Sequence, residues 1–307
     1  MSGPAVIVPS LGAPTLDGCL AAVDDLDVQP MTTIVVLSGD GADRTLPEWA
    51  TAVRSRRRLG FAAAVNAGLA VLPRPWPDVA LLNDDAEPAP GWLTSLRDAL
   101  VANPSLAAVQ GTVLLEDGTV DGRGVVLDRY GLPVQADRNA PALPEPAEPR
   151  PLVAVSGTAC LYRGEALEAA AWEDGTLLDP VFGSYHEDVD LGLRMARLGW
   201  GAAWVPGAAT RHRGSLTGRR FAWRHPWWVL ANRWQALAGN LTADALAAFL
   251  PRLVRGELRA VRTLVRENPR TLLVAPVVWW AVPWLVARGL HRRSPGPRLE
   301  IVPGGTP

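Results

Sequence analysis

Three short apolar runs, each ended by a Gly, Pro or Asp cluster and separated by helix-length segments, set the fold class of this chain. "AVIVPS" (5–10) stops at Pro9, "TTIVVLSGDG" (32–41) at a Gly/Asp turn, and "DVALLND" (78–84) at three polar residues. Runs that are apolar at nearly every position belong to strands covered on both faces, as in parallel sheets. Between the first two, Leu16, Cys19, Leu20 and Val23 recur at helical spacing. "GFAAAVNAGLAVL" (60–72) and "PGWLTSLRDALVAN" (90–103) supply two more helices, the second with proline in its first turn. Strands alternating with helices predict a three-layer α/β domain. With 307 residues, 48% of them hydrophobic, the chain can fill such a core and still carry an appendage.

After Val109 the pattern changes. Asp117-Gly118 and Asp121-Gly122 fall between apolar runs and read as hairpin turns, and their spacing does not match a calcium loop. The proline-rich stretch 140–151 reads as a loop or flap over a site, and "LVAVSGTACLYRGEAL" (152–167) as a strand, a small-residue turn and a short helix. Cys19 and Cys160 match no metal or redox spacing, which fits a reducing compartment. The first ten residues lack the basic residue and long apolar run of an export signal, so a cytoplasmic location is expected.

Three segments can carry chemistry. The strand at 79–82 runs into Asn83-Asp84-Asp85, and ligands of open α/β sheets sit at the carboxyl ends of strands. Carboxylates there can hold Mg²⁺ or Mn²⁺ against substrate phosphates, although a polar turn would look the same. In "SYHEDVDLGLRMARLGW" (184–200) a helix is expected to start near Glu187 and stop at Gly199. Asp190 precedes Arg194 by four residues, which predicts a surface ion pair. Glu187 and Asp188 fall at the positive end of the helix dipole, which favours the ionised form; either could accept a proton or only cap the helix. In "ATRHRGSLTGRR" (209–220), His212 stands among Arg211, Arg213, Arg219 and Arg220. The cluster is compatible with a diphosphate pocket, a base, a metal ligand or a core-edge histidine.

Taken in order, "VIVPSLGAPTLDGCLAAV", "LGFAAAVNAGL", "LLNDDAEPAPGWL", "VSGTACLYRGEAL", "YHEDVDLGLRMARLGW" and "RHRGS" resemble the inverting nucleotide-sugar glycosyltransferases of family two, over about residues 5–216. Within that family the chain looks most like rhamnosyl and galactofuranosyl transferases of bacterial envelope polysaccharides. The resemblance implies a GT-A fold with a Rossmann-like, mostly parallel sheet. It implies that Asp85, with Asn83 or Asp84 beside it, and His212 hold Mn²⁺ or Mg²⁺ on the donor diphosphate. Asp188 would be the general base, with Glu187 as the alternative. Donor contacts would come from Pro9, Ser10, Asp40, Gly60, Phe61, Asn66, Asn83, Asp84 and Arg213, and acceptor contacts from Gly157, Thr158 and Trp200.

The chain departs from the family pattern twice. Ser10-Leu11-Gly12 replaces an aromatic-asparagine pair, and Leu37-Ser38-Gly39, with Asp40 late, replaces a base-reading aspartate. The donor is therefore left open among UDP-, dTDP- and GDP-linked sugars. A rival enzyme class, the nucleotidyltransferases, would want a phosphate-loop lysine, and this chain has no lysine. A non-catalytic glycan-binding or scaffold subunit at the membrane is the remaining alternative.

Residues 201–307 carry sixteen arginines against four acids, a balance of +12, so the first 200 residues carry −13 of the net −1. Nine of the thirteen tryptophans also lie from Trp200 onward, and Trp with Arg suits a membrane interface. Residues 244–266 place Arg252, Arg255, Arg259, Arg262 and Arg266 opposite an apolar face, with Pro251 expected in the first turn of the helix. The uncharged stretch 271–287 holds Pro276 and Pro283 and is short for a span, so an in-plane or re-entrant anchor is expected. The expected organisation is a catalytic domain at 1–216 and a basic, Trp-rich helical extension at 217–307, peripheral on the inner face of the cell membrane. The expected partners are a nucleotide sugar, a lipid-linked or polysaccharide acceptor and the membrane surface, with a homodimer left open and nucleic acid excluded for want of a binding module.

Overall fold

The computed structural model describes residues 3–142, 148–213, 223–292 and 295–300. Its first half alternates as the sequence predicts: β1 (Ala5–Ser10), α1 (Leu16–Asp24), β2 (Thr32–Ser38), β3 (Ala50–Ser55), α2 (Phe61–Leu69), β4 (Val79–Leu82), β5 (Ala86–Pro88) and α3 (Trp92–Ala102). Then come β6 (Leu106–Leu115), β7 (Val120–Gly122), β8 (Val125–Leu127), β9 (Pro133–Gln135), β10 (Arg150–Leu152), β11 (Ala159–Tyr162), α4 (Gly164–Ala170), α5 (Glu187–Arg197) and β12 (Gly201–His212). Three long helices close the chain: α6 (Arg224–Asn240), α7 (Ala243–Glu267) and α8 (Thr271–His291).

The main sheet runs β10-β12-β6-β11-β4-β1-β2-β3, with β5 added to β12 and β7 to β6. Strands β1 to β4 are parallel to one another, and β11 is inserted antiparallel between β4 and β6. Strand alternation sorts the core into two layers. Ile7, Ile34, Val36, Val79 and Leu81 meet α2, α4 and α5 on one face. Val6, Val8, Val35, Ala80 and Leu82 meet α1 and α3 on the other. This is the expected three-layer arrangement, and both cysteines are free and buried within it.

A third core lies outside the sheet. Val189 and Leu193 of α5, Val125, Leu132 and Phe182 pack with Leu230, Trp234 and Leu237 of α6 and with Leu253 and Val278 from α7 and α8. Helix α5 is therefore apolar on two sides, since its Leu191 and Met195 belong to the sheet core.

Several expectations need correcting. Asp121-Gly122 is not a turn but part of β7, because Val120 and Gly122 pair with β6. In the 152–167 stretch the strand follows the small-residue turn instead of preceding it. Pro251 lies inside α7, whose start is set by Thr242 accepting from the Ala245 amide at 3.2 Å. Helix α8 has 21 residues, long and apolar enough to cross a membrane, because the helix continues through both prolines. Trp204 and Trp234 are core residues: the Trp204 indole donates to Thr112 Oγ1 at 3.1 Å beneath the guanidiniums of Arg123 and Arg150. Residues 143–147 of the proline-rich loop, and Arg219 and Arg220 with the Gly-Ser of "RHRGS", lie outside the described residues.

Candidate active site

The carboxyl ends of β1, β4 and β12 meet the start of β11 and the first turn of α5. After β4, the Asn83 amide donates to Thr158 O at 2.9 Å, tying the acidic turn to the beginning of β11. The chain then enters β5, which pairs with β12 so that Ala86 opposes His212. That pairing brings Asp85 against His212 across 127 positions of sequence, with Oδ1 3.1 Å from Nε2. The other ring nitrogen, Nδ1, lies 2.8 Å from Asp121 Oδ2.

Burial would lower the His212 pKa, but the hydrogen bonds and charges of Asp121 and Asp85 outweigh it and hold the ring at about 9. The imidazolium thus bridges two carboxylates. Beside it, burial lifts the Asp84 carboxyl to about 6, against the pull of the Ser10 hydroxyl, which donates to Oδ2 at 2.6 Å, and with the Asp85 charge adding to the rise.

Asp85, in the turn before β5, and His212, at the end of β12, offer one carboxylate oxygen and one imidazole nitrogen. This donor set suits a divalent cation completed by phosphate oxygens. Among the described residues no cluster of three or more His, Cys, Asp or Glu forms a self-sufficient metal cage.

The second part of the site is the entry to α5. Tyr185 (φ 71°) and His186 (φ 67°) are consecutive left-handed residues without a glycine between them, a conformation that costs of order 1–3 kcal/mol per residue. Asn232 of α6 holds them there. Its amide donates to the carbonyls of Phe182, Ser184 and Tyr185 at 2.8, 3.0 and 2.9 Å, and His186 Nε2 lies 3.1 Å from Val229 O. The Asn232→Ala protein is expected to lose about 1–3 kcal/mol of stability, read by denaturant titration, because three carbonyls lose their donor.

Beyond this turn, Asp188 Oδ1 accepts from the Val189 amide at 2.8 Å, and Oδ2 faces the Gly157 amide at 3.4 Å. Burial raises the pKa of both Glu187 and Asp188, and the Asp188 charge adds to the rise of Glu187. This corrects the expectation that the helix dipole would favour their ionised forms: loss of water outweighs the dipole at these two positions. Glu187 Oε2 has no hydrogen-bond partner among the described residues.

The remaining candidates divide. Gly60 and Phe61 open α2 beside the site, Gly60 against the Gly183 carbonyl and Phe61 with its ring over Gly157, where a Cβ would meet it at 2.7 Å. Thr158 Oγ1 lies 3.1 Å from Ser156 Oγ. Pro9 and Ser10 are the last two residues of β1, and Asp40 is exposed in the turn after β2. The loops after β1 and β2 touch backbone to backbone: a Cβ on Gly12 would lie 2.6 Å from Gly41 Cα, so side chains as large as the family's have no room at this contact. Arg213 is adjacent, its amide donating to Asp85 O at 3.0 Å, but its guanidinium pairs with Glu87 at 3.0 Å.

Three expectations do not survive. Asn66 turns its amide onto the backbone of Leu177 and Leu178, accepting at 3.2 and 2.9 Å and donating at 2.7 Å, so it braces that loop. Trp200 lies at the far end of α5 from Asp188, its amide donating to Met195 O at 3.0 Å, and packs against the sheet core. Asp190 is 1% exposed instead of lying on the surface. It meets Arg194 Nε at 3.2 Å, Arg292 Nη1 at 3.0 Å and Asn240 Nδ2 at 2.9 Å.

Sequence reasoning missed Asp121 and Asn232. The first looked like turn chemistry, and nothing in its neighbourhood points to His212; the second is one asparagine in a Trp-rich helix.

A Rossmann-like sheet whose carboxyl edge gathers an acidic turn, a histidine and a buried carboxylate pair defines a glycosyltransferase of the GT-A class. The chain belongs to glycosyltransferase family 2, since residues 5–235 match the family described as "Glycosyltransferase like family 2". It is 29% identical, over 84% of its length and 95% of the relative's, to the N-acetylglucosaminyl-diphospho-decaprenol L-rhamnosyltransferase of Mycobacterium tuberculosis. Two solved structures share its fold. Glucosyl-3-phosphoglycerate synthase from M. tuberculosis, in complex with Mn²⁺, UDP-glucose and phosphoglyceric acid, has a TM-score of 0.51 at 17% identity, over 76% of this chain and 79% of that one. GalNAc-T7 with UDP, GalNAc and Mn²⁺ has a TM-score of 0.52 at 16% identity, over 70% of this chain and 44% of that one.

Proposed function

We propose that this protein is an inverting glycosyltransferase that moves a sugar, of rhamnosyl type, from a nucleoside-diphosphate donor to a lipid-linked envelope glycan at the inner face of the cell membrane. Residues 1–216 would form the catalytic domain and 217–307 its basic helical extension. The observation that carries the reading is the convergence of Asp188 with the Asp84-Asp85 turn and His212 at one edge of the sheet. The mycobacterial relative, named for a decaprenol-linked substrate, supports the lipid-linked acceptor.

Asp188 takes the proton of the acceptor hydroxyl as that oxygen attacks the anomeric carbon from the face opposite the diphosphate. The new C–O bond forms as the bond to the diphosphate oxygen breaks, and its electrons leave with the nucleotide. Burial and the neighbouring Asp188 charge push the Glu187 carboxyl toward its protonated form, which lowers the negative charge facing the leaving diphosphate. Asp85 and His212 would hold Mn²⁺ or Mg²⁺, which supplies charge neutralisation on the diphosphate when bound. His212 must give up its Nε2 proton for this. Asp121 then orients the ring by accepting from Nδ1, as outer carboxylates do behind metal-bound histidines.

Thermal stabilisation by UDP, dTDP and GDP, each with and without Mn²⁺, tests the reading. One nucleotide should stabilise the protein, and only with metal; no response to any of them would favour a non-catalytic scaffold. In the Asp121→Asn protein, Mn²⁺ affinity measured by electron paramagnetic resonance is expected to fall about 10- to 100-fold.

A further inference from the structure

Helices α7 and α8 each keep one face against the protein and turn an apolar face outward. Thr271, Ala275, Val278, Leu285 and Gly289 of α8 are buried, and at Gly289 the helix lies so close to α6 that a Cβ would meet Ala238 Cβ at 2.7 Å. On the opposite side Leu272, Leu273, Val277, Trp280 and Trp284 are exposed, Trp280 at 86%. Helix α7 repeats the arrangement: Leu253, Gly256, Glu257 and Leu264 face inward, while Leu250, Val254 and Leu258 form an exposed stripe at i, i+4 and i+8. The next sector of α7 carries exposed Arg255, Arg259, Arg262 and Arg266. An apolar stripe flanked by cations is the pattern of a helix lying in the headgroup region of an anionic bilayer.

We infer that the outer faces of α7 and α8 dock flat on an anionic phospholipid surface, with Trp280 and Trp284 entering the headgroup region and the α7 arginines facing lipid phosphates. Helix α8 does not cross the bilayer, because a span would strip Ala275, Val278, Leu285 and Gly289 from α6 and break the third core. A second copy of this chain is the poorer occupant. It would bring an arginine-rich face against its own kind, and the exposed acids of α7 and α8 are only Asp244 and Glu267 among the described residues. The inference stands on the exposed faces and not on the transferase reading.

Co-sedimentation of the full-length protein with phosphatidylcholine vesicles, with and without phosphatidylglycerol, tests it. Binding should be about 100-fold or more tighter to the anionic vesicles and should weaken as salt screens the arginines. Trp280→Asp with Trp284→Asp should abolish binding to both kinds. Arg255→Gln with Arg262→Gln and Arg266→Gln should remove the anionic preference, a loss of about 100-fold, while sparing the weak neutral binding. All these side chains are exposed, so melting temperatures should match the wild type and report that the variants are folded. Equal binding to both vesicle types, no binding by the folded protein, or a solution dimer that Trp280→Asp dissociates in the absence of vesicle binding would overturn it.

Discussion

Asp188→Asn should cut turnover by about 10²- to 10⁴-fold, the range a positioned general base contributes, while leaving metal-dependent nucleotide binding intact. The amide keeps the shape of the side chain and can still accept from the Val189 amide, so the loss is in proton transfer and not in folding. Glu187→Gln is the matched control. Burial and the Asp188 charge already hold Glu187 toward its protonated form, so a neutral isostere should keep turnover within about 10-fold of wild type. The pH profile carries the same information. A base must be ionised to act, and burial raises the Asp188 pKa above its ordinary 3.8. The acid limb of kcat/KM should therefore lie above the usual aspartate range, with the rate rising with pH through it and the limb disappearing in Asp188→Asn. Steady-state kinetics with the nucleotide sugar identified by thermal stabilisation would measure both. Near-wild-type turnover in Asp188→Asn would remove it from the base role.

Asp190→Ala should be the most destabilising of the single substitutions considered, by about 3–5 kcal/mol, the usual cost of stranding a buried ion-pair partner. Arg194 has no exposed surface, and although it also donates to the carbonyls of Ala170 and Leu177, Asp190 is its carboxylate partner. Arg292 arrives from beyond α8 to the same carboxylate and to Asp179, so the loss would loosen the end of the C-terminal helices as well. Circular-dichroism melts and urea titration would read the effect. A change below about 1 kcal/mol, the scale of an exposed pair, would mean that the site behaves as a surface pair after all.

Much of the fold was legible in the sequence because strands covered on both faces are apolar at nearly every position, and helices between them repeat every three to four residues. The βαβ start, the site at the carboxyl edge and the beginning of α5 at Glu187 all follow from such local patterns. Strand β3 was missed: ATAVRS carries no residue of the main buried core and lies at the edge of the sheet. The misjudged charges share a cause. Asp190 and Arg194 have the spacing of a surface pair, and only the packing of α6 and Arg292 over α5 buries them. Trp204 and Trp234 look like interface residues in a Trp-rich tail, yet burial depends on what lies opposite a side chain, which composition does not record.

What the sequence by itself determined is the inventory and its order: a family 2 glycosyltransferase chain with an acidic turn, a helix opening on two carboxylates, a downstream histidine and a basic, Trp-rich tail. These are short-range facts, set by periodicity, turn chemistry and motif order. Only the tertiary structure decided which of those residues meet. The antiparallel pairing of β5 with β12 sets His212 on Asp85, β7 adds Asp121 behind it, and α6 reaches over to hold Tyr185 and His186 in left-handed backbone. The same packing chose which side of α7 and α8 is left exposed. Contacts between residues a hundred positions apart arise from sheet register and helix docking, and these are properties of the assembled core that no local stretch of sequence encodes.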